Sequence, residues 1–200
     1  MNMLDRLIRF SSWKTMWVFL SINFAIQAII ILIMYPLVST VYEPLDVQMN
    51  LNSQSIYSFL TNIGELGRYY YGLNEATFDM LFPIAYSLAY SLLLIQLLKT
   101  TDLINTKLKY VALLPFLLAL VDVIENLHIV TLIYSFPVKN LLLTQGLALV
   151  NMLKHVLTAG LLFSIFGLLI YTVIIKMILN NSASISIKLK ASLLRIRRRP

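Results

Sequence analysis

Cysteine is absent from this 200-residue chain. Disulfides, thiolate nucleophiles and cysteine-ligated metal sites are therefore excluded. Charge is nearly as scarce: Asp, Glu, Lys and Arg make up 12% of the residues, only nine are acidic, and histidine occurs twice. No Ser-His-Asp constellation, phosphate-cradling glycine loop or dinucleotide fingerprint can be found. What remains is apolar. Hydrophobic residues reach 59% and the mean hydropathy is +0.80, a balance foreign to soluble domains and expected of a polytopic membrane protein.

Four apolar stretches, 16–38, 78–98, 110–135 and 141–176, are each long enough to cross about 30 Å of hydrocarbon. Backbone groups in lipid must be satisfied within their own segment, so each stretch is expected to be a helix. The expected fold class is all-α, a membrane-spanning four-helix bundle over 1–180, followed by a basic tail, 181–200. The run Met16–Val38 follows Arg6, Arg9 and Lys14 as a signal peptide would. It is too long for a signal core and lacks a small-residue cleavage site, so it reads as a retained helix.

Thirteen of the sixteen Lys and Arg residues precede the first span, lie between the second and third, or follow the fourth, whereas the opposite loops hold Arg68 and Lys139. The positive-inside rule places both termini in the cytoplasm of a cell membrane, on this pattern a bacterial inner membrane. The net charge of +7 is thereby explained by topology, and no nucleic-acid partner is expected. The expected partners are membrane lipids, including anionic headgroups at the tail KLKASLLRIRRRP. The outer loop, about forty residues between the first two spans, includes SQSIYSFLTNIGELG. Its apolar spacing behind a Ser53 cap predicts a short amphipathic helix, lying on the membrane or over the bundle mouth. Gly64 and Gly67 read as a turn.

The polar residues inside the spans carry the functional signal. On a helix turning 100° per residue, Asp122, Glu125 and Asn126 share a face of the third span, with His128 to one side. The fourth span runs the other way and brings Asn151, Lys154, His155 and Thr158 to a similar depth. By helical rise Glu125 lies roughly 18 Å from Pro137, close to mid-membrane. Asp79, Pro83, Tyr86 and Tyr90 form a stripe on the second span, and Asn23 and Gln27 a shorter one on the first. A charge at the bilayer centre costs at least ~2.5–3.5 kcal/mol, so these groups should face inward and pair. Three carboxyls, with Asp79 nearer the outer side, then confront one lysine. A protonated carboxyl, a charged histidine or a bound cation must complete the balance.

GRYYYGLNEATFDMLFPIAY, LLPFLLALVDVIENLHIV and NMLKHVL together resemble a family of small bacterial four-helix membrane proteins of no established activity. The shared residues are Gly67, Arg68, Tyr71, Asp79, Phe82, Pro83, Tyr86, Asp122, Glu125, Asn126 and Lys154, within residues 60–160. The resemblance implies architecture and assigns no chemistry. In outline the bundle also resembles the sterol-isomerase and sigma-2-receptor class, a likeness of fold alone.

Three functions compete. The favoured one is binding or converting a lipid-like amphiphile, with Asp122, Glu125, Lys154 and His155 as candidate catalytic groups and Asn126, Asp79, Tyr86, Tyr90, Arg68 and Asn151 as candidate ligand contacts. The alternatives are an assembly subunit whose polar groups only fix helix packing and proton- or ion-coupled transport, which the lack of a repeated half disfavours. Arg68 either pairs with Glu65 and Glu75 or reaches down into the bundle mouth. His128 reads as a packing residue. Neither zinc-protease His/Glu spacing occurs, so no metal and no cofactor are expected.

Overall fold

A computed structural model of the chain describes residues 2–175. The expectations for the tail 181–200, and for position 176 at the end of the fourth span, lie outside the described residues.

The chain begins with an amphipathic helix, α1 (Met3–Phe10), whose Asn2 cap accepts from the Asp5 amide at 2.8 Å. Its apolar side, Leu4, Leu7 and Ile8, packs under the bundle. Lys99 donates to the carbonyls of Ile8 (2.8 Å) and Ser11 (2.9 Å), the orphan acceptors at the end of this helix.

The first span is α2 (Trp13–Val38), set off by a capping box at Ser12. Between Ile30 and Met34 the helix widens into a π turn, which accommodates one surplus residue. Pro36 follows at once. Its missing N–H is tolerated where the ladder is already irregular.

The outer loop is more ordered than the sequence suggested. It contains two helices, α3 (Ser53–Asn62) and α4 (Gly64–Ala76). The α3 cap is Asn52 rather than Ser53, because its side chain accepts from the Ser55 amide at 2.9 Å. Ser53 instead meets Thr144 at 2.5 Å. Ile56, Tyr57, Phe59 and Leu60 of α3 are buried against the bundle, so this helix covers the mouth. Gly64 does turn the chain, with φ +68, but Gly67 is helical. A Cβ there would stand 2.6 Å from the Val38 carbonyl oxygen, so only glycine lets α4 lie against the end of α2.

Helix α4 leads through Thr77 into α5 (Phe78–Thr100), and the two make an apolar run of 37 residues. A tight segment, Lys107–Leu113, enters α6 (Leu114–Ser135), and α7 begins at Leu141 and spans to Ile175. Among the described residues four helices are thus long and apolar enough to cross a membrane. They pack in the order α2, α5, α6, α7, and the first and last scarcely touch each other.

Exposed Trp13, Trp17 and Tyr110 mark one end of the bundle and exposed Tyr42, Tyr69 and Tyr134 the other, as interfacial aromatics do. Glu125 lies nine residues, ~14 Å, from Tyr134 and fifteen from Tyr110. The polar layer therefore sits in the half of the bundle nearer the 39–52 loop.

Candidate functional site

Lys154 of α7 bridges two carboxylates of α6. Its Nζ lies 3.3 Å from Asp122 Oδ1 and in contact with Glu125 Oε2. Glu125 is completely buried, and its other oxygen accepts from Asn151 Nδ2 at 2.9 Å. The expected intramembrane ion pair is present, formed by three of the four candidate catalytic groups. The fourth is elsewhere. His155 Nε2 lies 3.3 Å from the Gln48 carbonyl and lines a separate cavity with Met49, Asn50 and Met152. Adjacent residues on a helix point about 100° apart, and α7 turns Lys154 to α6 while His155 meets the loop.

Asn126 has a different task. Pro83 has no N–H and cannot bond the carbonyl four residues back, which is that of Asp79. Asn126 Nδ2 donates to that carbonyl at 2.6 Å, so α6 repairs the gap that proline opens in α5. Arg68 neither pairs with an acid nor enters the bundle mouth, a correction to both of its expected positions. Its guanidinium donates to the Leu60 carbonyl at 2.7 Å and lies 4.3 Å from the centre of the Phe136 ring. It clamps the end of α3 to the turn before α7. His128, as expected, packs: its Nδ1 is 2.8 Å from the Ile124 carbonyl, and its ring fills the notch left by Gly146.

The loop supplies what sequence reasoning missed. Asp46 is buried and accepts from Tyr35 at 2.5 Å and from Tyr71 at 3.0 Å, while Tyr71 also accepts from the Leu45 amide at 2.9 Å. Glu75 is completely buried one turn before Asp79. The Asn74 amide lies 3.3 Å from the Glu75 carboxylate and 3.4 Å from that of Asp79. Asp46, Glu75, Asp79, Asp122 and Glu125 thus make five buried carboxyls. Among the described residues only Lys154 forms an ion pair with any of them.

These groups border a cavity of about 320 Å³. Its walls are α2 (Gln27, Ile30, Ile31, Tyr35) and α7 (Lys154, Thr158, Leu161, Leu162, Ile165), and its floor is α5 and α6. One end is polar, with Tyr35, Asp46, Asp79, Asp122 and Lys154. The other is apolar apart from Gln27 and Tyr90. From Asp79 to Tyr90, or from Lys154 to Ile165, is eleven residues, ~16 Å. Tyr86 lies between the ends, 4% exposed, and its hydroxyl has no hydrogen-bond partner. Because α2 and α7 hardly meet, the cavity opens sideways, and Ile31 and Leu162 on its rim are about half exposed. Glu125, Asn126 and Asn151 do not line it.

No protein-family model matches the chain, and neither does any curated protein or solved structure. The four-helix membrane architecture implied by the sequence resemblance is present, and no family is identified.

Proposed function

We propose that the protein takes a single-chain amphiphile sideways from the bilayer and holds it between α2 and α7. One observation carries this reading: the cavity is a slot of ~16 Å with charged groups at one end and apolar side chains at the other, open along the seam between α2 and α7. Its volume of about 320 Å³ lies at the lower limit of ligand pockets, roughly 300–1,000 Å³. That suits one chain better than two. By the positive-inside expectation the polar end lies toward the outer leaflet, so a ligand would keep the head-out orientation it has in that leaflet.

The charged cluster divides by position. Asp46, Asp79, Asp122, Lys154 and Tyr86 border the cavity and are the groups offered to a headgroup. Glu125, Asn126 and Asn151 are turned into the packing and hold α5, α6, α7 and the loop in register. The purely structural reading is favoured for these three residues and does not account for the open slot.

The test is photolabelling in nanodiscs with a single-chain amphiphile carrying a diazirine near its tail. Labelled peptides should concentrate on the cavity-facing sides of α2 and α7, and Leu161→Trp, which fills the apolar end, should abolish that labelling. Uniform labelling of all lipid-facing surfaces, unchanged by Leu161→Trp, would refute the proposal.

A further inference from the structure

The polar end of the slot is short of positive charge. Lys154 is engaged by Asp122 and Glu125, and neither Asp46 nor Asp79 has a cationic partner among the described residues. Asp46 receives two tyrosine hydroxyls, whereas Asp79 receives a long contact from Asn74, which it shares with the neighbouring Glu75 carboxyl. Both border the cavity.

A second observation, from the α5 wall beside Asp122, points into the same space. The Tyr86 hydroxyl is buried, faces the cavity and has no hydrogen-bond partner. Folded proteins leave few buried polar groups unmatched, and among those here the Tyr86 hydroxyl borders the cavity. The ring of Tyr86 stands between Phe82 and Tyr90 on the same cavity wall, with centroids 5.2 and 6.2 Å apart. Aromatic faces beside carboxylates are the surroundings that stabilise an ammonium group. A metal ion is a poorer occupant: among the described residues no three His, Asp or Glu side chains converge as a metal site. An anionic headgroup would face Asp46 and Asp79, neither of which has a cationic partner among the described residues.

We infer that the slot selects amphiphiles whose head carries a protonated amine, with Asp79 and Asp46 as its counter-ions and the Tyr86 hydroxyl accepting one ammonium N–H. This rests on the amphiphile reading above and adds the class of headgroup. The amine could be free at the chain terminus or carried on a phosphodiester. Either would present the same donor group to the same carboxylates.

The experiment compares dodecylamine, dodecanol, dodecyl sulfate and lyso-phosphatidylethanolamine by native mass spectrometry of the full chain in phosphatidylcholine nanodiscs, with empty discs as reference. Dodecylamine or lyso-phosphatidylethanolamine should bind at least about tenfold more tightly than dodecanol, a charge-assisted contact having no counterpart in the alcohol. The tighter of the two identifies the source of the amine. Asp79→Asn should remove that preference while dodecanol binding persists. Tyr86→Phe, which keeps the ring and should leave the fold intact, should narrow the preference without abolishing it. Equal binding of amine and alcohol, or a preference for the sulfate, overturns the inference and leaves the amphiphile reading standing. Failure of all four probes to bind above the empty-disc level overturns both.

Discussion

The bond from Asn126 to the Asp79 carbonyl can be isolated by a double-mutant cycle with Pro83. In the native chain the carbonyl has no amide four residues ahead, and the Asn126 donor at 2.6 Å stands in for it. Asn126→Leu keeps the approximate volume and leaves that carbonyl without either donor. A buried group left unsatisfied costs about 1–3 kcal/mol, and interhelical polar contacts in membranes average roughly 0.6 and reach ~1.7 kcal/mol. The expected loss is therefore about 1–2 kcal/mol. Pro83→Ala restores an N–H at the helical position, so the same Asn126→Leu change should then cost at least ~1 kcal/mol less. Asn126 Oδ1 is itself buried without a partner. Removing it gives a small gain, but that gain is common to both backgrounds and cancels in the cycle. The assay is equilibrium unfolding in mixed micelles at rising SDS fraction, read by far-UV circular dichroism for all four proteins. Additivity within ~0.3–0.5 kcal/mol, the scatter of uncoupled sites, would refute the proposed exchange of donors.

Other expectations can be checked by the same unfolding assay. Lys154→Met leaves Glu125 buried without its cation and should cost about 3–5 kcal/mol, with Lys154→Met/Glu125→Gln recovering a large part; equal stabilities of the single and double variants would show that the ion pair does not hold the bundle. Gly146→Ala places a methyl 2.8 Å from the His128 ring and should destabilise by ~1–3 kcal/mol, a loss that His128→Ala relieves. Gly67→Ala meets the Val38 carbonyl oxygen as well as the Ile63 side chain, so truncating Ile63 alone should not rescue it. Arg68→Ala should loosen α3, seen as faster amide exchange at the end of Ser53–Asn62, with little change in α5 or α6.

Some of this arrangement was legible in the residues themselves. Asp122, Glu125 and Lys154 could be placed together because lipid forbids isolated charges, and helix periodicity then leaves one inward face on each span. Pro83 and Asn126 stood out separately, but their connection is a backbone vacancy that only the packed helices reveal. Asp46 and Glu75 were not placed with the cluster, and Tyr71 entered only through the resemblance, because the segment before position 78 was treated as loop. A signal existed there: Gly67, Tyr71, Glu75 and Asp79 are spaced by fours and extend the polar stripe of α5 backward into α4. Asp46 gave no periodic signal, since it lies outside any helix and its burial depends on two tyrosines from α2 and α4. His155 and Arg68 illustrate the opposite error. Sequence proximity to the cluster suggested membership, whereas local geometry turned one to the Gln48 carbonyl and the other to Leu60 and Phe136.

The widened turn at Ile30–Met34 makes the first span one register step out of phase with itself. Wind the same residues at a uniform α-helical pitch and everything before Ile30 keeps its place, while Tyr35 swings by about 100° around the axis and is carried ~1.5 Å further along it. Its hydroxyl then no longer points at Asp46, although no atom of the pair has been altered. A helix of uniform pitch could not connect the same two faces with this number of residues.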